Sequence, residues 1–176
     1  MINSILTTII CLSCILNLQA QQTIREGIFT IAENTYEISR LNEYKKYIIE
    51  NVDKSELKLD PLEVNGFPTE YIRTKMTNEK ELQKLACEAL GKKTIEKLTA
   101  AKEKISGRIN YRPDGSVIRV VFVVQENTVL TLDDLARVER TLQQRFKASF
   151  ESDPPNFHLH LYYISKNYEL DFGKVD

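Results

Sequence analysis

The sequence predicts an α+β fold: an antiparallel sheet, with a β-hairpin, helix and strand at its core, packed on one face by helices. Three observations predict it. Val117–Val124 reads V-I-R-V-V-F-V-V, the most β-prone run in the chain. A tight turn, Pro113-Asp114-Gly115-Ser116, joins it to a second alternating stretch, Gly107–Arg112. Behind both, Leu132, Leu135, Val138, Leu142 and Phe146 recur at helical spacing, and Phe157–Ile164 then returns to strand-like alternation.

The chain has 176 residues, about one domain's worth. Its 24 Lys and Arg balance 25 Asp and Glu. That balance gives no general attraction for nucleic acid, and none is expected as a partner. With two His and no Trp, histidine chemistry has few places to reside.

Met1–Ala20 carries no charged residue, and Ile5–Leu18 is an apolar run of signal-peptide length. Leu18-Gln19-Ala20 sets a small residue before a cut, so residues 1–20 are expected to be a signal peptide. An anchor helix is the alternative, but Asn17, Gln19, Gln21 and Gln22 leave the run short of the roughly 20 apolar residues of a span. No stable membrane span is expected after cleavage. Lipid modification at Cys14 is a third reading, with Cys11 standing where a lipobox has a Leu-like residue. Removing the leader leaves Cys87 as the sole cysteine, which excludes an intramolecular disulfide. No Asn-x-Ser/Thr sequon is present, which favours a bacterial envelope over a eukaryotic secretory route. The expected setting is the periplasm or cell envelope of a Gram-negative bacterium, or secretion from it.

After the leader, residues 21–68 are expected as N-terminal strands and a loop that could form a small subdomain, and residues 69–176 as the α+β core. Gly27–Ala32 and Thr35–Leu41 alternate as two strands about Glu33-Asn34. Asn42–Val52 fits a helix by its Tyr44, Tyr47, Ile48, Val52 face and a strand by its Tyr47-Ile48-Ile49 run; helix is preferred. Asp53–Pro68 holds Asp60-Pro61, Asn65-Gly66 and Pro68, which is turn chemistry, with a short strand at Leu57–Leu59. Asn78–Leu90 is a helix with a capping-box pair, Asn78 and Glu81, and a Gly91 stop. Thr94–Ile105 is a second helix ended by Gly107. Val117–Gln125 has two largely apolar faces, so it is expected to be central and covered on much of both. Thr131 caps the best helix, through Lys147, with Asp133 and Asp134 at its positive end. Asp153-Pro154-Pro155 ends any helix. Phe157–Ile164 is the third core strand, and Tyr168, Leu170 and Phe172 continue it or form an edge strand.

This order over Gly107–Ile164 resembles the C-terminal domain of TonB-type energy-transducing envelope proteins, a β-β-α-β unit. Asp114-Gly115-Ser116-Val117 matches its turn and Phe122 with Val124 its second strand. Leu132-Asp133 matches its helix start, Phe146-Lys147 its Phe-Lys pair and Phe157–Leu161 its last strand. The likeness covers about a third of the chain and departs at Ala148, where a Pro is usual. The proline-rich segment of a transducer is missing, so the resemblance implies fold more than function. The leader, size and texture also resemble small exported proteins of unknown function from gut Bacteroidetes.

Three groups of side chains bear chemistry. His158 and His160, two apart on a strand, would share a face about 6.5–7 Å apart. They are the candidate metal pair, though a zinc site usually takes three or four protein ligands. The structural reading is the polar face of a half-exposed strand. Arg137, Arg140 and Lys147 are the candidate partner-binding residues, against the reading of a solvated helix face. Cys87 reads as a partly buried structural thiol rather than a nucleophile. No nucleophile elbow, zinc-helix, phosphate-loop or dinucleotide motif occurs, so no catalytic residue and no cofactor is expected. The expected function is a non-enzymatic binding or interaction domain of the envelope, taking a protein or peptide at a sheet edge. The alternatives are a metal-dependent or hydrolytic enzyme using His158 and His160, and a structural module of an envelope assembly.

Overall fold

The computed structural model describes residues 24–54 and 57–174, so the expected leader lies outside the described residues. Ten strands run in chain order: β1 Gly27–Ile31, β2 Asn34–Leu41, β3 Lys46–Asn51, β4 Glu63–Val64, β5 Phe67–Pro68, β6 Arg73–Met76, β7 Lys104–Tyr111, β8 Val117–Gln125, β9 Phe150–Asp153 and β10 Ile164–Asp171. Among the described residues, three α-helices are α1 Glu79–Leu90, α2 Lys92–Ala100 and α3 Leu132–Arg145. β1, β2, β3, β8, β7 and β10 form, in that order, a six-stranded sheet whose pairings are all antiparallel. β4 pairs with β5, and β6 with β9, in two small sheets. The α+β class with an antiparallel sheet and packed helices is therefore the observed one. β3 pairs with β8, and β1–β3 are half of the six-stranded sheet.

The β7–β8 hairpin forms where its turn residues predict. Arg112 N–H donates to Ser116 O, and Gly115 N–H to Arg112 O, both at 2.8 Å. Asp114 Oδ1 accepts from Ser116 N and Oγ, which holds its carboxyl below the usual range. Gly115 has φ +87°, and a Cβ there would lie 1.9 Å from the Ala148 carbonyl oxygen, so only glycine fits. Thr131 caps α3 through a full capping box with Asp134. The core-facing row of the sheet includes Tyr36 and Ile38, Tyr47 and Ile49, Val120, Phe122 and Val124, Ile105 and Ile109, and Leu170, all buried. Leu135, Val138 and Leu142 of α3 close over it, and α1 packs on α3.

Four expected elements differ. Asn42–Val52 is not a helix: a 3₁₀ turn spans Asn42–Tyr44, Lys45 turns the chain at φ 50°, and β3 follows. Tyr47, Ile49 and Asn51 alternate into the core between β2 and β8, so pairing on both sides overrides the helical spacing. Leu57–Leu59 is not a strand; the turn at Asn65-Gly66 instead brings β4 and β5 together. The second helix starts at Lys92 and ends at Ala100, because Lys102 adopts φ 53° and sends Ile105 into β7. Phe157–Ile164 is not a strand: Phe157–His160 is a 3₁₀ turn, and the third strand of the β-β-α-β unit is β10. That strand pairs with β7 and forms a sheet edge.

Candidate functional site on the open sheet face

Strand alternation sets the opposite row of the sheet away from the helices. Two lines of residues cross it: Glu37, Glu50, Val121, Arg108 and Asn167, then Ser39, Ile48, Val123, Ser106 and Glu169. Ile48, Val121 and Val123 form a half-buried apolar centre, while Glu37, Ser39, Arg108, Asn167 and Glu169 are exposed. The cover expected for the second face of β8 is not there among the described elements; this face is open. A hollow of about 560 Å³ lies over the apolar centre, bordered by Glu50, Arg108, Arg119 and Tyr168. It adjoins a second, of about 360 Å³, at Ser106 and Val123.

The charges are locally matched. Arg119 reaches diagonally from β8 to pair with Glu50 on β3. Lys104 bonds Glu169 at 2.7 Å and Asp171 at 3.3 Å, and these two carboxylates raise its pKa. Glu103, 7 % exposed at the second hollow, accepts from Val129 N–H at 3.2 Å through Oε2, while Oε1 has no hydrogen-bond partner among the described residues. An apolar floor with polar groups around it suits binding.

The candidate residues of the sequence fall elsewhere and do not converge. His158 and His160 are not partners on one strand face: His158 is 7 % exposed, and His160 is exposed on the 3₁₀ turn. His158 Nδ1 lies 2.8 Å from Ser152 Oγ, and Oγ donates to Pro154 O at 2.8 Å. With its proton so placed, Oγ accepts from the ring, the reverse of a base activating a serine. Burial lowers the His158 pKa. Among the described residues, no group of three or more His, Cys, Asp or Glu could hold a metal ion.

Arg137 bonds Asp134 and donates to Ala89 O at 2.8 Å, pinning α3 to the end of α1. Lys147 lies 3.8 Å from Asp114. Arg140 borders a separate hollow of about 310 Å³ with Ala32, Glu33 and Asn34. Cys87 is buried beside Gln83, and desolvation raises its pKa, keeping the thiol protonated. The open face escapes sequence reading because Ile48 and Glu50 sit in a stretch whose spacing also fits a helix. Alternation of Tyr47, Ile49 and Asn51 against Ile48 and Glu50 is the signal that finds it.

No family model matches the sequence, and no curated protein matches it. Among solved structures, the chain is similar to the crystal structure of a DUF5043 family protein from Bacteroides uniformis. The TM-score is 0.61 at 12 % identity, over 84 % of this chain and 85 % of that one. The likeness is one of fold, to a protein from the Bacteroidetes. No helix among the described residues is long and apolar enough to cross a membrane.

Proposed function

We propose that this chain is an exported, non-enzymatic binding domain of the cell envelope that takes a protein or peptide partner on its open sheet face. One observation carries the reading: the helices pack on one side of the sheet, while the other side presents Ile48, Val121 and Val123 in a hollow ringed by Glu50, Arg108 and Arg119. A sheet face of that make-up offers apolar area for affinity and polar groups for orientation. The uncharged stretch Met1–Ala20 supports export. The order β7-β8-α3-β10 is the part of the TonB-type likeness that this reading keeps, with β10 in place of Phe157–Leu161.

Site-specific photocrosslinking in the native cell tests it. A benzophenone side chain at Val121 is expected to trap a discrete envelope component. The same group at Lys80, exposed on α1, is expected to trap none. Equal trapping at both positions, or none at Val121, rejects the binding face. Mass measurement of the mature N-terminus, expected at Gln21, tests export separately; an intact leader in the cytoplasmic fraction rejects it.

A further inference from the structure

β10 closes one edge of the six-stranded sheet, bonded to β7 and, among the described residues, to no strand on its other side. An edge strand presents a row of backbone N–H and C=O groups without sheet partners. β6 belongs to a different sheet, with β9. Just past that ladder, Thr77 N–H donates to Ser149 O at 2.9 Å. Successive residues of an antiparallel strand turn their backbone groups to alternate sides. Lys75 and Thr77 therefore face β9, and Thr74 faces away. The Thr74 carbonyl accepts from Lys166 Nζ of β10. The side of β6 left unpaired among the described residues thus meets β10 through a lysine side chain rather than a backbone bond. A hollow of about 340 Å³ lies there, lined by Ile72 and Thr74 on one side and Tyr163, Ile164 and Ser165 on the other.

Two further observations bear on what fills it. Lys166 stands on the core-facing row opposite Ile109, half-buried, and desolvation lowers its pKa while Glu79 acts the other way. An ammonium held partly out of water against a neutral carbonyl gains from a carboxylate. The 57–72 loop, which contributes Asp60, Thr69 and Ile72 to the same hollow, is tied to the 157–163 segment where Tyr162 N–H meets Asp60 Oδ1 at 2.6 Å and Phe67 meets Phe157 edge-on. These two segments expose Leu59, Leu62, Tyr71, Leu159 and Tyr162, an apolar shelf of the kind that marks interaction sites.

We propose that an extended peptide segment bearing a carboxylate side chain inserts between β10 and β6, draws Lys166 from Thr74 and rests an apolar neighbour on the Leu159–Tyr162 shelf. Adjacent strands lie about 4.8 Å apart, so β10 and β6 flank the guest at about 9.6 Å. The guest joins the six-stranded sheet to β6 and β9 as one continuous sheet. This surface is distinct from the open face, and either can bind without the other. The competing role for Lys166 is a guard: an inward-pointing charge on an edge strand discourages pairing. Removal of the charge separates the two roles, because a guard's loss strengthens peptide binding and a recognition group's loss weakens it.

The test is selection of displayed random nonapeptides on the whole chain, followed by binding measurements on the resynthesised winners. Enrichment of one Asp or Glu among alternating apolar residues is expected. Its replacement by the amide, or methylation of an alternate backbone nitrogen, is expected to weaken binding at least tenfold. Lys166→Met, which keeps the aliphatic stem, is expected to remove the preference for acid over amide. Val121→Lys, on the open face, is expected to leave binding unchanged. No enriched acidic peptide, or equal or tighter binding to Lys166→Met, overturns the proposal. Loss of binding on Val121→Lys instead assigns the peptide to the open face and also overturns it.

Discussion

The Tyr36 hydroxyl donates to Glu139 Oε2 at 2.7 Å, joining β2 to α3 inside the core. Tyr36 is 0 % exposed and Glu139 1 %. Asn51 Nδ2 meets the same oxygen at 3.3 Å, and Gln143 Nε2 meets Oε1 at 3.2 Å. A buried carboxylate is held by donors from two strands and from its own helix. Tyr36→Phe removes the shortest of these bonds and is expected to cost about 1–3 kcal/mol of folding stability, since it strips a donor from a buried charge-bearing group. In a Glu139→Gln background the same change is expected to cost less. Urea denaturation of the two single variants and the double variant reads the coupling. A Tyr36→Phe effect within about 0.5 kcal/mol of zero would show that the bond does not hold β2 to α3.

Gly107 makes a second, sharper case. It lies within β7, and a Cβ there would sit 1.9 Å from the Val121 carbonyl oxygen and 3.0 Å from the Tyr168 hydroxyl. Tyr168 donates to that same carbonyl at 3.3 Å. A methyl group meets backbone on a neighbouring strand, which cannot swing aside as a flexible side chain does. Gly107→Ala is expected to destabilise by about 3 kcal/mol or more. Gly66→Ala, whose Cβ meets nothing within 4 Å, is expected to cost about 1 kcal/mol through its φ of 77° alone. Thermal unfolding of the two variants side by side checks the difference.

Local chemistry explains which parts of this architecture the sequence made legible. The Pro113–Ser116 turn, the Thr131 cap and the α3 stripe are specified within a few residues, and each stands where expected. β3 is legible only as an alternative to a helix, because Tyr44, Tyr47, Ile48 and Val52 satisfy helical spacing and pairing to β2 and β8 selects the strand. The strand expected at Phe157–Ile164 differs for a related reason. Alternation in Phe157–Leu161 is short, and Asn156 at φ 66° with Pro154 and Pro155 before it sets a 3₁₀ turn that buries His158 alone. The open face and the β10–β6 interval depend on which faces and edges remain uncovered. Those are properties of the assembled sheet, carried by residues distant in sequence.

Acid should weaken the fold through His158. Burial lowers its pKa below the ordinary value near 6.5, so the folded protein holds the ring neutral where the unfolded chain would protonate it. The sign follows: this contribution is present above pH ~6.5 and is lost as pH falls from there through the lowered folded value. His158→Gln, which retains a donor toward Ser152, is expected to cost about 1 kcal/mol at pH 7.5 and to flatten the fall in stability between pH 6.5 and 5. Denaturation midpoints across that range decide it. A wild type as steep as the variant would place the acid sensitivity elsewhere.

Alkali should weaken the fold from the opposite side. Tyr36, Tyr111 and Tyr168 all have pKa values raised by burial, with Glu139 adding to Tyr36 and Glu79 to Tyr111. The unfolded chain loses these protons near pH 10 and the folded chain keeps them. Their contribution is therefore complete below pH ~10 and falls as pH rises above it. Tyr111 is the informative position. Its ring packs edge-on against Phe146 at 6.2 Å and Phe150 at 5.3 Å, yet its fully buried hydroxyl has no hydrogen-bond partner among the described residues. Tyr111→Phe keeps both ring contacts and removes a polar atom that pays for its burial. It is expected to raise stability at pH 7 by about 1 kcal/mol. The variant should also lose less stability between pH 9 and 11 than the wild type. Calorimetry at both ends of that range measures the two effects together. Destabilisation at pH 7 would mean that the hydroxyl has a bonded partner in solution, and an unchanged alkaline limb would mean that Tyr111 does not titrate with unfolding.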